Sequence, residues 1–472
     1  MRRLLQCLIT ALLGCSLSAW ALEPDVFGTA HNVSRQAVYD DARGELSCRF
    51  GGLPERLPLE QVVERILCHD PQTRISWANA KAQAAQVGLS QSAYLPSLNG
   101  RIGSSHGNGR VDYDESFMRS GEGHRRRNSA SLELNWVLVD FGRRGAALRN
   151  ARQLLLAANA TQDATLQSTF VQAAQAYYDA LSAQRSLAAS VQIAELAARN
   201  LEAADAKYKA GAAALSDRLQ AQTAFSQANL RQIRDRGALR NALGVIALRM
   251  GLPPETSLQL AGDLTPLPDT QFVKAVDELL TQARQDHPAV LAAHARLNAA
   301  QAAVDEKRAA GLPSLALTAD LTYAQSQQSR IFNGDERERD RSIGLQLSIP
   351  LFEGFGRTYQ IRNAQARVEA SQAELSEVEQ QVALDLWASY QTLNIETQSL
   401  QRTNELVDQS RQSLEVVQGR YHAGVGSMIE LLNALTAYAG AEEQHIQTLS
   451  HWQTSRLRLA ASLGRLGFWT LQ

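Results

Sequence analysis

The chain has 472 residues, too many for one ordinary compact core, and a formal net charge of -1, which leaves no global electrostatic case for nucleic acid. Apolar residues make up 44 % and aromatic residues only 6 %, with Ala supplying much of the apolar share, a composition suited to thin helical seams rather than thick cores. All 12 Pro lie outside 97–252 and 351–472. Those two stretches are free to form long helices, since Pro inside a helix costs about 3 kcal/mol.

In chain order, residues 1–21 read as a secretory signal peptide. Arg2 and Arg3 precede an apolar run, Leu4 to Leu17, that is too short to span a bilayer, and Ala19-Trp20-Ala21 is the cleavage site. Leu12-Leu13-Gly14-Cys15 offers the alternative of a lipidated Cys15. An arm over 22–58 follows. Cys48 and Cys68 stand 20 residues apart and, outside the cytoplasm, form either a disulfide or two buried thiols. Beyond the leader, nothing reaches the roughly 18 consecutive apolar residues of a membrane helix, so the exported chain is soluble or crosses a membrane as strands.

A helix is expected over 59–92, then a Gly-rich strand over about 94–106 and a charged loop over 107–128 with Arg125, Arg126 and Arg127. A strand over about 129–142 comes next, in which Ala130, Leu132, Leu134, Trp136 and Leu138 alternate with Ser131, Glu133, Asn135 and Val137. A very long helix, 143–209, turns sharply into a return helix, 214–250. After a linker over 251–271 the order recurs: helix 272–310, strand about 312–325, charged loop 327–341, strand about 341–355, long helix 357–422, return helix 427–463 and a tail over 465–472.

The recurrence is written in residues. Leu95-Pro96-Ser97-Leu98 returns as Leu312-Pro313-Ser314-Leu315, 217 positions on; Phe141-Gly142-Arg143 returns as Phe355-Gly356-Arg357, 214 on. Lys207-Tyr208-Lys209-Ala210-Gly211 returns as Arg420-Tyr421-His422-Ala423-Gly424, 213 on. The chain is a tandem duplication of 59–250 and 272–464, and the falling offset places a loop insertion in the first copy.

The period of two with one polar face is the pattern of a transmembrane β-barrel strand; a soluble half-buried sheet is the alternative. Four strands cannot close a barrel whose smallest form has about eight, so barrel strands would demand a cyclic oligomer. The charged loops are either solvated or, at the Arg cluster, paired with lipid phosphates. In the first long helix a heptad seam runs through Leu166, Phe170, Ala173, Tyr177, Ala180, Gln184, Leu187, Val191, Ala194, Ala198, Leu201, Asp205 and Tyr208. Such a helix is a rod of about 100 Å. The chain carries no H-E-x-x-H, G-x-S-x-G or Gly-rich phosphate loop, and His445 and His451 are wrongly spaced for one helix face. Glu442 and Glu443 read as solvated. No enzyme, cofactor or metal site is expected.

The repeat, the LPSL strand start, the FGR strand-to-helix corner (Phe141, Gly142; Phe355, Gly356) and the [KR]-Y-x-A-G turns resemble the TolC family of outer-membrane factors over nearly all of 59–464. Leu67-Cys68-His69-Asp70-Pro71-Gln72-Thr73 looks most like its CyaE-type branch, which serves toxin secretion. The resemblance implies a mainly α protein with a transmembrane β-barrel. Each protomer of a homotrimer would give four strands to a shared 12-stranded barrel and its helices to a coiled-coil periplasmic α-barrel, with the arm and 251–271 as an equatorial belt. It implies a location in the outer membrane, among its lipids. It also implies docking to a periplasmic adaptor and an inner-membrane ABC transporter, and passage of an exported protein.

The resemblance makes the hairpin ends the periplasmic gate and docking surface. Lys207, Tyr208, Gly211, Ser216, Arg218, Arg420, Gly424 and Gly426 fall at these turns, with Gly211 and Gly424 suited to helix C-caps. Asp217 and Tyr421 match a gate carboxylate and a gate tyrosine that would bond to each other. Glu430 and Asn433 match two acidic rings, the second here an amide. Gly426 stands where the family has a gate arginine, and Arg218 is a candidate substitute. The plainer alternatives are turn packing for Tyr208 and Tyr421, a helix-dipole charge for Asp217 and a solvated face for Glu430. The functional readings are a type I secretion duct, a small-molecule or multidrug efflux channel on the same fold, and a periplasmic coiled-coil scaffold with no pore.

Overall fold

Alternation of apolar and polar residues builds the four strands of the main sheet: β3 (Ser97–Val111), β4 (Gly121–Val139), β5 (Ser314–Gln328) and β6 (Gly334–Ser348). A two-residue pair, β1 (Tyr39–Asp40) and β2 (Gly44–Glu45), precedes them. The computed structural model describes residues 25–40, 44–45, 48–111, 121–262, 281, 283, 285–328 and 334–464. The leader with Cys15, linker positions 263–271, the first part of the helix expected from 272, and the tail 465–472 lie outside the described residues. The chain divides into two units: Met1–Val33, Lys81–Leu156 and Ala295–Ala373 form one, and Ser34–Ala80, Ala157–His294 and Glu374–Gln472 the other.

In the first unit the sheet is antiparallel, in the order β3-β4-β5-β6, so β3 and β6 are its edges. The register aligns the alternating residues. Leu98, Leu134, Ala319 and Ile343 lie in one row, and Gly100, Leu132, Leu321 and Arg341 in the next. One face is therefore a continuous apolar band, and its members are open to the surroundings: Ile102, Ile343 and Leu345 are 84 %, 77 % and 66 % exposed. The other face carries Asn99, Glu133, Asp320 and Ser342 in a single row.

The strands run further than apolar alternation alone predicts. Most of the expected loops 107–128 and 327–341 is strand, leaving 112–120 and 329–333 as connections outside the described residues. The second connection is four residues shorter, which is where the offset drops from 217 to 213. In the second copy the reason is that Glu-Arg-Glu-Arg-Asp-Arg also alternates, by sign of charge, and a strand separates alternate residues whatever their chemistry.

Strand passes to helix over two left-handed residues. In the first copy they are Phe141 (φ 48°) and Gly142 (φ 97°), in the second Gly354 (φ 58°) and Phe355 (φ 62°). The sequence landmark is thus displaced by one: Gly356 is not the partner of Gly142 but the first residue of the next helix. An Arg clamps each corner. Arg144 donates to Asp140 Oδ2 at 2.8 Å and to the carbonyls of Val137 (2.6 Å), Leu138 (3.2 Å) and Ala93 (3.3 Å), and lies 4.8 Å from the Tyr94 ring centroid. Arg357 has Glu353 at 3.0 Å and the Gly311 carbonyl at 3.5 Å.

The helices are α1 (Leu59–His69), α2 (Pro71–Ser92), α3 (Arg143–Lys209), α4 (Leu215–Arg249), α5 (Pro288–Ala309), α6 (Gly356–His422) and α7 (Met428–Ser462). The single helix expected over 59–92 is two. Pro71 lacks the N–H to continue α1, and Asp70, extended at ψ 126°, caps α2 by accepting from Gln72 N at 2.7 Å. His287 does the same before Pro288, with Ala289 N donating to its ring at 3.2 Å.

In the second unit, Val62, Val63 and Ile66 of α1 pack with Phe170, Tyr177, Ile246, Leu449 and Trp452. Cys48 and Cys68 form a disulfide, Cα–Cα 5.6 Å, that ties the arm to α1. Along α3 the seam is wider than a heptad strip. Adjacent pairs such as Ala173 and Ala174, Ala180 and Leu181, and Ile193 and Ala194 are all buried, so the helix packs against more than one neighbour, while Gln184 and Tyr208 are exposed. Glu442 and Glu443 are ion-paired, not merely solvated: Arg411 is 3.3 Å from the first and Arg231 2.5 Å from the second.

Two outcomes follow from these contacts. Arg144→Ala should lower stability by about 2 kcal/mol and Arg357→Ala by about 1 kcal/mol, since the first guanidinium holds more partners. Chemical unfolding in detergent, followed by tryptophan fluorescence, measures both, and equal losses would contradict the difference between the clamps. On α3, burial pushes the Asp163 carboxyl up from 3.8 to about 6. The folded chain holds this proton more tightly than the unfolded chain, so stability is lost as pH rises from about 4 to about 6 and stays lower above. Asp163→Asn should change little at about pH 4 and add about 2 kcal/mol at about pH 7.5. An unchanged unfolding midpoint at the higher pH would reject this account.

Candidate functional site

Both hairpins reverse through the same backbone device. After α3, Gly211 (φ 73°) donates to Tyr208 O at 2.9 Å and Ala212 to Lys207 O at 2.8 Å. After α6, Gly424 (φ 81°) donates to Tyr421 O at 3.1 Å and Val425 to Arg420 O at 3.0 Å. These are paired Schellman caps, which need a left-handed residue after the last turn, and glycine supplies it without a Cβ penalty. The return helices start differently. Ser427 accepts from Glu430 N at 3.2 Å, whereas Ala214 offers no side-chain cap to α4.

The two copies then diverge in side chains. Tyr208 is 37 % exposed and Tyr421 only 3 %, although they are equivalent in the repeat. Tyr421 sits in a cluster with Ala204, Ala221, Val407, Leu414, Met428 and Leu431. The hairpins meet there: the Lys207 ammonium lies 4.1 Å from the Tyr421 ring centroid and donates to the Tyr421 carbonyl. The Tyr421 hydroxyl is buried and has no hydrogen-bond partner among the described residues. Burial, then the charge of Asp217, raises its pKa above the ordinary phenol value. The expected Tyr421–Asp217 hydrogen bond is therefore not made within one chain; the carboxylate is near enough to be felt but accepts instead from Ser216 at 3.4 Å.

Arg218, the candidate substitute for the arginine absent at Gly426, is engaged within the chain. It pairs with Asp205 of its own hairpin at 2.9 Å and lies 5.6 Å from the Tyr208 ring. Hydrogen bonding from Lys209, with Arg218 beside it, holds the Asp205 carboxyl below its ordinary range. Gly426 has its own steric reason: a Cβ there would stand 3.0 Å from Tyr421 N and 3.2 Å from the Arg420 carbonyl carbon. Glu430 and Asn433 are both exposed, three apart on α7, and Arg420 stands 3.8 Å from the Glu430 carboxylate. The sequence reading missed Lys207 as the partner of Tyr421 and Asp205 as the partner of Arg218. Only the i, i+4 spacing of Asp205 and Lys209 hinted at the second.

A sheet with one apolar face and two open edges, continued by helical hairpins with glycine-capped ends, defines a channel-forming protein of the barrel-and-helix class. A family model described as outer membrane efflux protein matches residues 62–251 and 279–465, and the chain belongs to that family. The chain is 33 % identical to protein CyaE of Bordetella pertussis over 414 residues, 87 % of this chain and 85 % of that one. To outer membrane protein TolC of Salmonella enteritidis it is 24 % identical over 429 residues, 88 % and 84 % of the two chains. The solved outer-membrane channel OprN has the same fold, with a TM-score of 0.75 at 21 % identity over 86 % of this chain and 90 % of that one. The protein is one of the outer membrane, with its helices on the periplasmic side.

The steric reading of Gly426 is testable by Gly426→Ala, which should cost about 1–3 kcal/mol because backbone atoms must shift to admit the methyl. Its counterpart Ala213 carries that methyl already, so Ala213→Gly should cost under about 1 kcal/mol. Unfolding of both variants checks the contrast, and a neutral Gly426→Ala would show that the turn relaxes freely.

Proposed function

We propose that this chain is the exit duct of a type I secretion system. Three copies give twelve strands to one barrel, and six helical hairpins converge on a periplasmic gate. The observation that carries the reading is the pairing of an open-edged amphipathic sheet with hairpins held against each other by Lys207 and Tyr421. The chain brings no energy source of its own, so a periplasmic adaptor and an inner-membrane ABC transporter drive passage, and the duct conducts an exported protein passively. The CyaE-type resemblance supports a protein cargo over a small molecule. Efflux of small molecules is the second reading, favoured by the description of the family itself. A poreless scaffold accounts poorly for the exposed apolar band of the sheet.

In this reading Asp217 and Tyr421 tether neighbouring hairpins at the gate. The buried, unpartnered Tyr421 hydroxyl then finds its acceptor when the hairpins shift in the assembly. Glu430 forms a ring whose cation preference is weakened by Arg420 beside it.

Single-channel conductance in a planar bilayer tests the duct. The purified oligomer should show a small, steady conductance, rising several-fold in Lys207→Ala and in the double variant Asp217→Ala, Tyr421→Phe. Absence of conductance in all forms would remove the duct reading. Equal conductance in all three would keep the duct and reject these residues as its gate. Deletion of the gene separates the cargoes: loss of a protein from the medium supports secretion, and drug sensitivity with an unchanged medium supports efflux.

A further inference from the structure

On β6 the residues of the apolar face run Leu347, Leu345, Ile343 and then Arg341, Arg339, Arg337, while Asp340 and Glu338 fall on the opposite face. Two contacts fix this sidedness. The Arg339 guanidinium lies 5.8 Å from the ring of Tyr323, its cross-strand partner on the apolar face. On the other face Arg127 reaches Glu338 at 3.6 Å, across the buried Ala324. On β4, Arg126 shares the parity of Leu132 and Ala130 and so joins the three arginines. The alternating run is thus a sorting device. Among the described side chains, the acids of this rim are on the polar face, where Arg127 is paired with Glu338, and the arginines Arg126, Arg337, Arg339 and Arg341 are on the apolar one.

The rim lies at the end of the strands away from the helices, hence toward the outer leaflet. A rim exposed only to water would have no reason to leave the arginines of one face without acids beside them among the described side chains. An arginine on the lipid side of a barrel costs about 2–4 kcal/mol at the bilayer midplane and about 0–1 kcal/mol at the interface. Three successive lipid-side positions occupied by Arg therefore mark interface height, where the anionic groups are lipid phosphates. Arginine meets phosphate through two parallel N–H donors.

We propose that Arg337, Arg339 and Arg341, with Arg126, form a binding surface for phosphorylated headgroups of outer-leaflet lipids. The three guanidiniums of β6 spread over about 13 Å of strand, with Arg126 of β4 one same-face row beyond Arg337, a spacing that suits a headgroup with more than one phosphate. The surface seats the barrel at a fixed depth and is independent of what passes through the channel.

The test uses the full-length oligomer in detergent and two probes, diphosphorylated lipid A and the same lipid with its phosphates removed. Native mass spectrometry counts bound lipid, and thermal dissociation of the oligomer reports its effect. The wild type should retain the diphosphorylated lipid about tenfold more tightly than the dephosphorylated one. The triple variant Arg337→Gln, Arg339→Gln, Arg341→Gln should lose that ratio, and Arg101→Gln, a charge on the opposite face, should keep it. Equal retention of the two lipids by the wild type overturns the proposal, whether or not the triple variant assembles. A triple variant that keeps the ratio overturns it as well. Displacement of the lipid by millimolar inorganic phosphate would make this a site for free phosphate and overturn the assignment to lipid.

Discussion

Backbone N–H and C=O groups cannot be left unpaired in hydrocarbon, and that constraint governs the rest of this molecule. A sheet whose apolar face is open, and whose outer strands β3 and β6 have free edges, is admissible in a bilayer only when those edges are paired. Four strands are too few to curl back on themselves, so pairing must come from further copies. Oligomerisation is thus a condition for insertion rather than a later refinement. The single polar face, with Glu133 and Asp320 in one row, becomes the wall of whatever space the copies enclose.

The duplication supplies each protomer with two strand pairs and two hairpins from one pattern, with α3 and α6 of 67 residues each and α4 and α7 of 35 each. Equal lengths let the two copies end at the same level, which is why Lys207 of one turn can reach Tyr421 of the other. Within that frame the side chains have specialised. Position 218 is an exposed-side Arg paired with Asp205, and its counterpart Leu431 is fully buried. The backbone of the turn is common property, and the side-chain chemistry of the hairpin ends belongs to the differences.

Much of this was legible in the sequence because long-range order here is written locally. Strand alternation, Pro-free runs and the repeated Tyr-x-Ala-Gly turns each report a structure that forms over neighbouring residues. Three features were not legible, for identifiable reasons. The strands continue through Arg337–Arg341 because alternation of charge sign is invisible to a hydropathy pattern. The break at Asp70–Pro71 was hidden because Pro is also a good first residue of a helix, so the same residue both stops α1 and starts α2. The Lys207–Tyr421 contact joins residues 214 apart, and no local rule predicts it.

The strand-to-helix corners carry a consequence for how such duplicated chains evolve. One copy writes the left-handed pair as Phe-Gly and the other as Gly-Phe, yet each leads into a helix at the same repeat position. The bend therefore specifies a path, two consecutive residues on the unfavourable side of φ, and tolerates either order of occupants. Each order leaves one bulky residue carrying roughly 1–2 kcal/mol of backbone strain. Both phenylalanines point outward, 61 % and 69 % exposed, at the inner margin of the apolar band, where an aromatic ring gains by lodging between headgroup and hydrocarbon. The membrane itself then offsets the strain. The Arg144 and Arg357 clamps hold the same path within the single chain, so the bend is specified before the membrane adds its share.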